Sequence, residues 1–191
     1  MARKKEFDVN DALHKAMLLF WEQGYEKTSM KELVSQMGVH KGSMYDTFGD
    51  KHTLYVNSLE HYFEMGQQII EKGITETNSA KEAIRFIFNW AIEQEEDFPL
   101  GCLIVNTAVE LAKDDAESRQ WVQRSWDFAE QLICELILDG QQSGEFSKLL
   151  DAKDMSMILY NSIIGLQVKA KTTSDREKLN KIIELNLSFL D

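Results

Sequence analysis

Apolar residues recur along this chain at intervals of three and four, the spacing that gathers them on one face of an α-helix. Val9, Ala12, Leu13, Ala16, Met17 and Phe20 mark a first helix over about residues 8–23, and Gly24 supplies its stop. Ser29 followed by Glu32 forms a capping box ahead of Met30, Leu33, Val34 and Met37, so a second helix begins there and ends at Gly38. A short third helix spans about residues 40–48, closed by Gly49. Asp50 then caps a fourth helix that runs to about Lys72.

A polar connector, residues 73–79, precedes five further helical segments at about residues 80–95, 102–113, 116–141, 152–172 and 175–190. No stretch alternates with a period of two, so the pattern predicts an all-α fold. It reads as an N-terminal three-helix helix-turn-helix DNA-binding domain over residues 1–52. A long fourth helix joins this to a larger helical domain over residues 53–191.

Composition supports the helical reading, since 191 residues contain a single proline. No apolar run reaches the length of a membrane span, and the basic start has no apolar segment behind it. Cys102 and Cys134 make neither a disulfide framework nor a zinc pattern. These features describe a reduced, cytoplasmic protein with no membrane partner.

The net charge of −11 argues against nucleic acid until its distribution is considered. Residues 1–52 hold eight Lys/Arg against eight Asp/Glu, so the whole excess of acid lies in the remainder. Local cations can therefore neutralise phosphate on a head attached to an acidic body.

In a helix-turn-helix, one helix braces a second whose N-terminal residues face the bases. Gly38 suits the turn, Leu33, Val34, Val39, Met44 and Phe48 suit the bracing faces, and His40, Lys41, Gly42 and Ser43 suit the exposed start of the reading helix. The run from Thr28-Ser29 through Gly38-Val39-His40-Lys41-Gly42-Ser43-Met44-Tyr45 to Phe48-Gly49, with Lys51 and Leu54, resembles the DNA-binding domain of the TetR family of transcriptional regulators. The specific resemblance covers roughly residues 8–56. It implies that Thr28 and Ser29 hold a phosphate, that Lys41, Gly42 and Ser43 approach bases, that Tyr45 stacks on the sugar-phosphate backbone, and that Lys51 reaches phosphate.

Two positions depart from the family's commonest pattern. His40 stands where a hydroxyl cap is frequent and is free to contact DNA instead. Asp46 either accepts from a cytosine amino group or braces Lys41 or Lys51. Lys4 and Lys5 are either a tail or an arm that adds affinity without specificity.

For the body, the resemblance implies that the last two helices form a four-helix homodimer interface. Their faces Met155, Ile158, Leu159, Ser162, Ile163 and Leu166, and Leu179, Ile182, Ile183, Leu187 and Leu190, are the candidates, and a two-fold dimer would read a palindromic operator. Phe86, Trp90, Trp121, Trp126, Phe128 and Tyr160 could line an effector pocket or serve as core. Asn106 and Glu110 are polar on an otherwise apolar helix, and either face an effector or bond to a neighbour.

The segment from Gly101 to Leu111 also resembles part of some electrophile- or oxidant-sensing members. Cys102 precedes a helix whose positive end can lower a thiol pKa, or it is a small buried hydrophobe. The expected function is a dimeric repressor of double-stranded DNA, released by an unidentified small molecule or by thiol modification. An activator, or an architectural DNA binder with no effector, would carry the same head. Nothing marks an enzyme: no catalytic residue, metal site or cofactor is assigned, and all four histidines lie in or near the head.

Overall fold

The computed structural model describes residues 7–93 and 98–191. Lys4 and Lys5, and the predicted end of the fifth helix at Glu95, lie outside these. The described residues form nine α-helices: α1 (Val9–Gln23), α2 (Met30–Met37), α3 (Lys41–Phe48), α4 (Lys51–Thr75), α5 (Ala80–Ile92), α6 (Leu103–Glu110), α7 (Ala116–Ser143), α8 (Ala152–Ala170) and α9 (Arg176–Leu187). A 3-10 turn, Ser188–Leu190, follows.

Most helix starts are set by local caps. Asp8 accepts from the N–H groups of Asn10 and Asp11, and Asp50, Ser79, Asp115, Asp151 and Asp175 each cap the helix behind them. The capping box at α2 is complete: Glu32 N–H donates to Ser29 Oγ at 3.2 Å, and Ser29 N–H donates to Glu32 Oε2 at 2.9 Å. Gly38 closes α2 with φ 67°, the left-handed conformation, so the turn into α3 needs a residue without a Cβ penalty.

Two glycines lie inside helices, Gly73 where the sequence placed the polar connector and Gly140 within the expected long helix. Gly73 continues α4 for two further residues, and Gly140 lies within α7. A Cβ on Gly73 would sit 2.0 Å from Phe86 Cζ, and one on Gly140 would sit 2.2 Å from Phe146 Cδ2. Both glycines admit an aromatic ring against the helix backbone. Close packing, not chain termination, is their purpose.

The buried side chains form two clusters. One holds α1–α3 and the first part of α4 together with Cys102, Leu103, Ile104 and Val105 of α6 and its cap, and Val122 of α7. The other joins α5, α7, α8 and α9. Arg85–Glu184 and Lys81–Asp191 pair at the surface between α5 and the C-terminal segment. The fold thus packs α6 into the head-side core while leaving it attached to the body.

The faces expected to meet a second subunit on α8 and α9 are mostly used within the chain. Met155, Leu159, Ile163, Leu166, Leu179, Ile183, Leu187 and Leu190 are all buried against α5 and α7. The outward apolar positions are Met157, Ile158, Val168, Leu185 and Phe189, with exposed Gly165 between Ile158 and Val168. A helix satisfies its intrachain core first, and periodicity alone does not say which stripe remains free.

Candidate functional site

The reading helix α3 stands on the first cluster through Met44 and Phe48, both buried, and Val39 anchors the turn before it. Its opposite side is open: His40, Lys41, Gly42, Tyr45 and Asp46 are exposed, and Ser43 is partly so. His40 is the N-cap of α3 but makes no side-chain cap hydrogen bond, so its ring is not tied to the helix start. Lys41 Nζ lies 6.0 Å from the Tyr45 ring centroid, and Lys51 Nζ lies 4.3 Å from that of Tyr25. Among the described residues Asp46 pairs with no cation, so the expected brace to Lys41 or Lys51 is not formed.

Thr28 and Ser29 do different things. Thr28 is fully buried and its hydroxyl donates to Gly24 O at 2.6 Å, so that side chain shapes the α1–α2 turn instead of reaching a phosphate. Ser29 is exposed, and its side chain caps α2, accepting from Glu32 N–H and meeting the Glu32 carboxylate, whose pKa it lowers. The starts of α2 and α3 both present N–H groups and a hydroxyl toward solvent.

Behind this surface lies an apolar cavity of about 90 Å³ between α4, α5, α6, α7 and α8. Trp90, Cys102, Phe128 and Tyr160 line it, as the sequence allowed. Trp126, Trp121 and Phe86 do not: the two tryptophans pack beside the head-side cluster, and Phe86 covers Gly73. Asn106 and Glu110 also lie outside the cavity, because the far side of α6 faces the head.

Those two residues form contacts that sequence reasoning left open. Glu110 accepts from Tyr25 N–H at 2.9 Å and from Glu26 N–H at 2.8 Å, one bond to each carboxylate oxygen. A Cβ on Gly24, whose φ is 84°, would lie 2.8 Å from Glu110 Oε2, so glycine permits this approach. Asn106 donates to Trp21 O at 3.2 Å and accepts from Lys171 Nζ at 3.1 Å. Thr107 lies 2.8 Å from the Tyr55 hydroxyl. One side of α6 therefore closes the cavity, while its polar side chains hold the C-terminal end of α1, the following turn and α4.

A second link joins the start of α4 to the start of α7. His52 Nε2 lies 2.8 Å from Asp115 Oδ2, and Nδ1 lies 3.7 Å from Glu117 Oε2. Burial at Asp115 opposes its ionisation, but hydrogen bonds from Ser118 and His52 outweigh this and lower its pKa. Neither link has a short-range sequence signal, since the partners lie 63 to 85 residues apart.

Cys102 is buried at the N-cap of α6 and accepts a hydrogen bond from the Tyr62 hydroxyl at 3.3 Å. Burial pushes its thiol above the ordinary value, and the opposing pull of Tyr62, the Val105 and Ile104 N–H groups and Lys171 does not compensate. The lowered pKa expected from the helix end is thus reversed: desolvation exceeds the helix contribution. Iodoacetamide should alkylate Cys102 slowly in the native chain at pH 7 and faster only above about pH 9. Mass spectrometry against a pH series checks this, and rapid native modification at pH 7 would contradict it.

Residues 12–57 match the family model of bacterial regulatory proteins of the tetR family, and residues 80–185 match the tetracyclin repressor-like C-terminal domain. The chain belongs to the TetR family. Its relatives include YezE of Bacillus subtilis, an HTH-type transcriptional regulator 31% identical over the whole of both chains. The transcriptional repressor ComR of Escherichia coli is 29% identical over 94% of this chain and 87% of its own. A cysteine mutant of the TetR-family regulator CifR, solved with a 26-base-pair double-strand operator, superposes with a TM-score of 0.85 at 26% identity, covering all of both chains. This TetR-family chain is a helix-turn-helix transcriptional regulator, and its relatives are regulators rather than enzymes. No helix among the described residues is long and apolar enough to cross a membrane.

Proposed function

We propose that the chain is a homodimeric repressor that binds a palindromic operator and releases it when a small molecule occupies the cavity. Residues 1–52 form the DNA-binding unit and residues 53–191 the effector-binding and dimerisation unit. Ser29, His40, Lys41, Gly42, Ser43, Tyr45 and Lys51 contact DNA, with Lys41 and Ser43 nearest the bases. Thr28 sets the turn that presents Ser29. The free apolar stripe of Ile158, Val168, Leu185 and Phe189 is the dimer face, with Gly165 allowing close helix approach.

The observation that carries this reading is α6, which borders the cavity through Ile104 and its cap Cys102 and grips the head through Asn106, Thr107 and Glu110. A ligand that displaces α6 must move α1 and α4 with it. The two recognition helices then change separation. A differential affinity of about 1–3 kcal/mol between the two states gives a 5- to 150-fold change in operator binding.

Glu110→Gln tests this coupling, since the two N–H groups meet different carboxylate oxygens and the amide turns one of these into an NH2 donor. The variant should still bind operator, while its ligand-induced loss of operator affinity shrinks several-fold. Fluorescence anisotropy with labelled operator measures both. An undiminished response in a folded variant removes Glu110 from the transmission path.

Cys102 borders the cavity and offers a second, slower route to the same state: a strong electrophile lodged there would react with the small thiolate fraction that the raised pKa leaves. Alkylation would enlarge the side chain at the α6 cap and push the helix as a ligand does. Cys102→Ser should abolish electrophile-induced release and keep operator binding. Persistent release from this variant would reject the thiol route.

A further inference from the structure

The chemistry of the cavity wall specifies its occupant more narrowly than its position does. Among the described residues no charged side chain lines it. Phe63, Trp90, Phe128 and Tyr160 supply aromatic surface from α4, α5, α7 and α8. An ionised ligand would lose its hydration there and find no counter-charge. A volume of about 90 Å³ is below the roughly 150 Å³ of a cavity that admits benzene, so the site takes at most about one ring.

One fully buried polar atom on the lining residues lacks a partner. Ser125 lies in the middle of α7, is 8% exposed, and its hydroxyl has no hydrogen-bond partner. A serine inside a helix ordinarily satisfies its hydroxyl on the carbonyl one turn back. Here the hydroxyl is buried and unpaired, on a residue that lines the cavity. Buried polar groups left unpaired are uncommon in folded proteins and call for a specific explanation, such as a ligand or ion at the site. Gln167 on α8, also 8% exposed, borders the same space with no side-chain hydrogen bond among the described residues.

Accepting the cavity as the effector site, we infer that its ligand is an uncharged, largely apolar molecule of about one aromatic ring, carrying a carbonyl or hydroxyl oxygen that pairs with Ser125. Aromatic walls take the ring by offset or edge contacts. The Ser125 hydroxyl donates to a carbonyl, or accepts from a ligand hydroxyl, and so fixes which end of the ligand faces α7. Carboxylates and amines of the same size are excluded by desolvation.

Isothermal titration of the full-length chain with four probes of matched size tests this: acetophenone, ethylbenzene, benzoate and benzylammonium. Acetophenone should bind most tightly. Ethylbenzene, which fills the same space without the oxygen, should bind about tenfold more weakly, the worth of one hydrogen bond to a buried group. Benzoate and benzylammonium should show no measurable heat of binding. Ser125→Ala should bring acetophenone and ethylbenzene to within about twofold of each other, and Ala129→Phe, which fills the cavity, should remove both.

Tight benzoate or benzylammonium binding, retention of the ketone preference in Ser125→Ala, or failure of every probe to bind the native chain overturns the inference. Operator affinity measured on the same samples separates it from effector release. Acetophenone binding with this selectivity but leaving operator affinity unchanged supports the ligand class and overturns release.

Discussion

Tyr55→Ala is expected to lower the unfolding free energy by about 3–5 kcal/mol, the range for deleting a large buried aromatic side chain. Tyr55 is fully buried on α4, with its ring centroid 4.9 Å from both Phe20 and Tyr25. Its hydroxyl lies 2.8 Å from Thr107 Oγ1 on α6. One side chain thus joins α1, the turn after it, α4 and α6, and its loss opens a cavity where head and body share a core. Tyr55→Phe retains the ring, and Thr107 keeps its own bond to Leu103 O. The phenylalanine variant should therefore lose only about 0.5–1.5 kcal/mol. Urea denaturation of both variants measures the split, and a Tyr55→Ala loss below about 1 kcal/mol would show that the junction is held elsewhere.

Lys41→Ala is expected to weaken operator binding by about 1–3 kcal/mol, or roughly 5- to 150-fold, and to relax base preference at the contacted position. Lys41 stands exposed at the first position of α3, beside Tyr45. Lys51→Ala should act differently, because Lys51 starts α4 and stands over the Tyr25 ring. Its loss should weaken all duplex binding alike and reduce the magnitude of the salt slope by about 1. Titrating operator and scrambled duplexes across a salt series distinguishes the two effects. Equal losses on both duplexes for Lys41→Ala would place that side chain on the backbone rather than the bases.

Both experiments concern residues whose types were legible from sequence, yet only one had a legible role. Lys41 follows from its place after a glycine turn. Tyr55 reads as one apolar position among several on α4, and its importance comes from three elements meeting around it. Glu110 is a sharper case. On sequence it is a polar residue that either faces an effector or bonds to a neighbour; in the fold it holds the backbone of Tyr25 and Glu26. Cys102 is sharper again, since the helix end that should lower its pKa is present but buried.

The helices, most of their caps, the turn at Gly38 and the family were legible in the chain before folding, because those signals act within a few residues and survive without knowledge of the partner. Caps bond three residues ahead, and a turn glycine answers to its own φ. Packing was needed to show that Gly73 and Gly140 admit aromatic rings, which stripe of the last two helices stays free, and that α6 faces both cavity and head. These depend on burial and on contacts between residues tens of positions apart. Desolvation and packing are properties of what surrounds a side chain, and the surroundings exist only once the chain has folded.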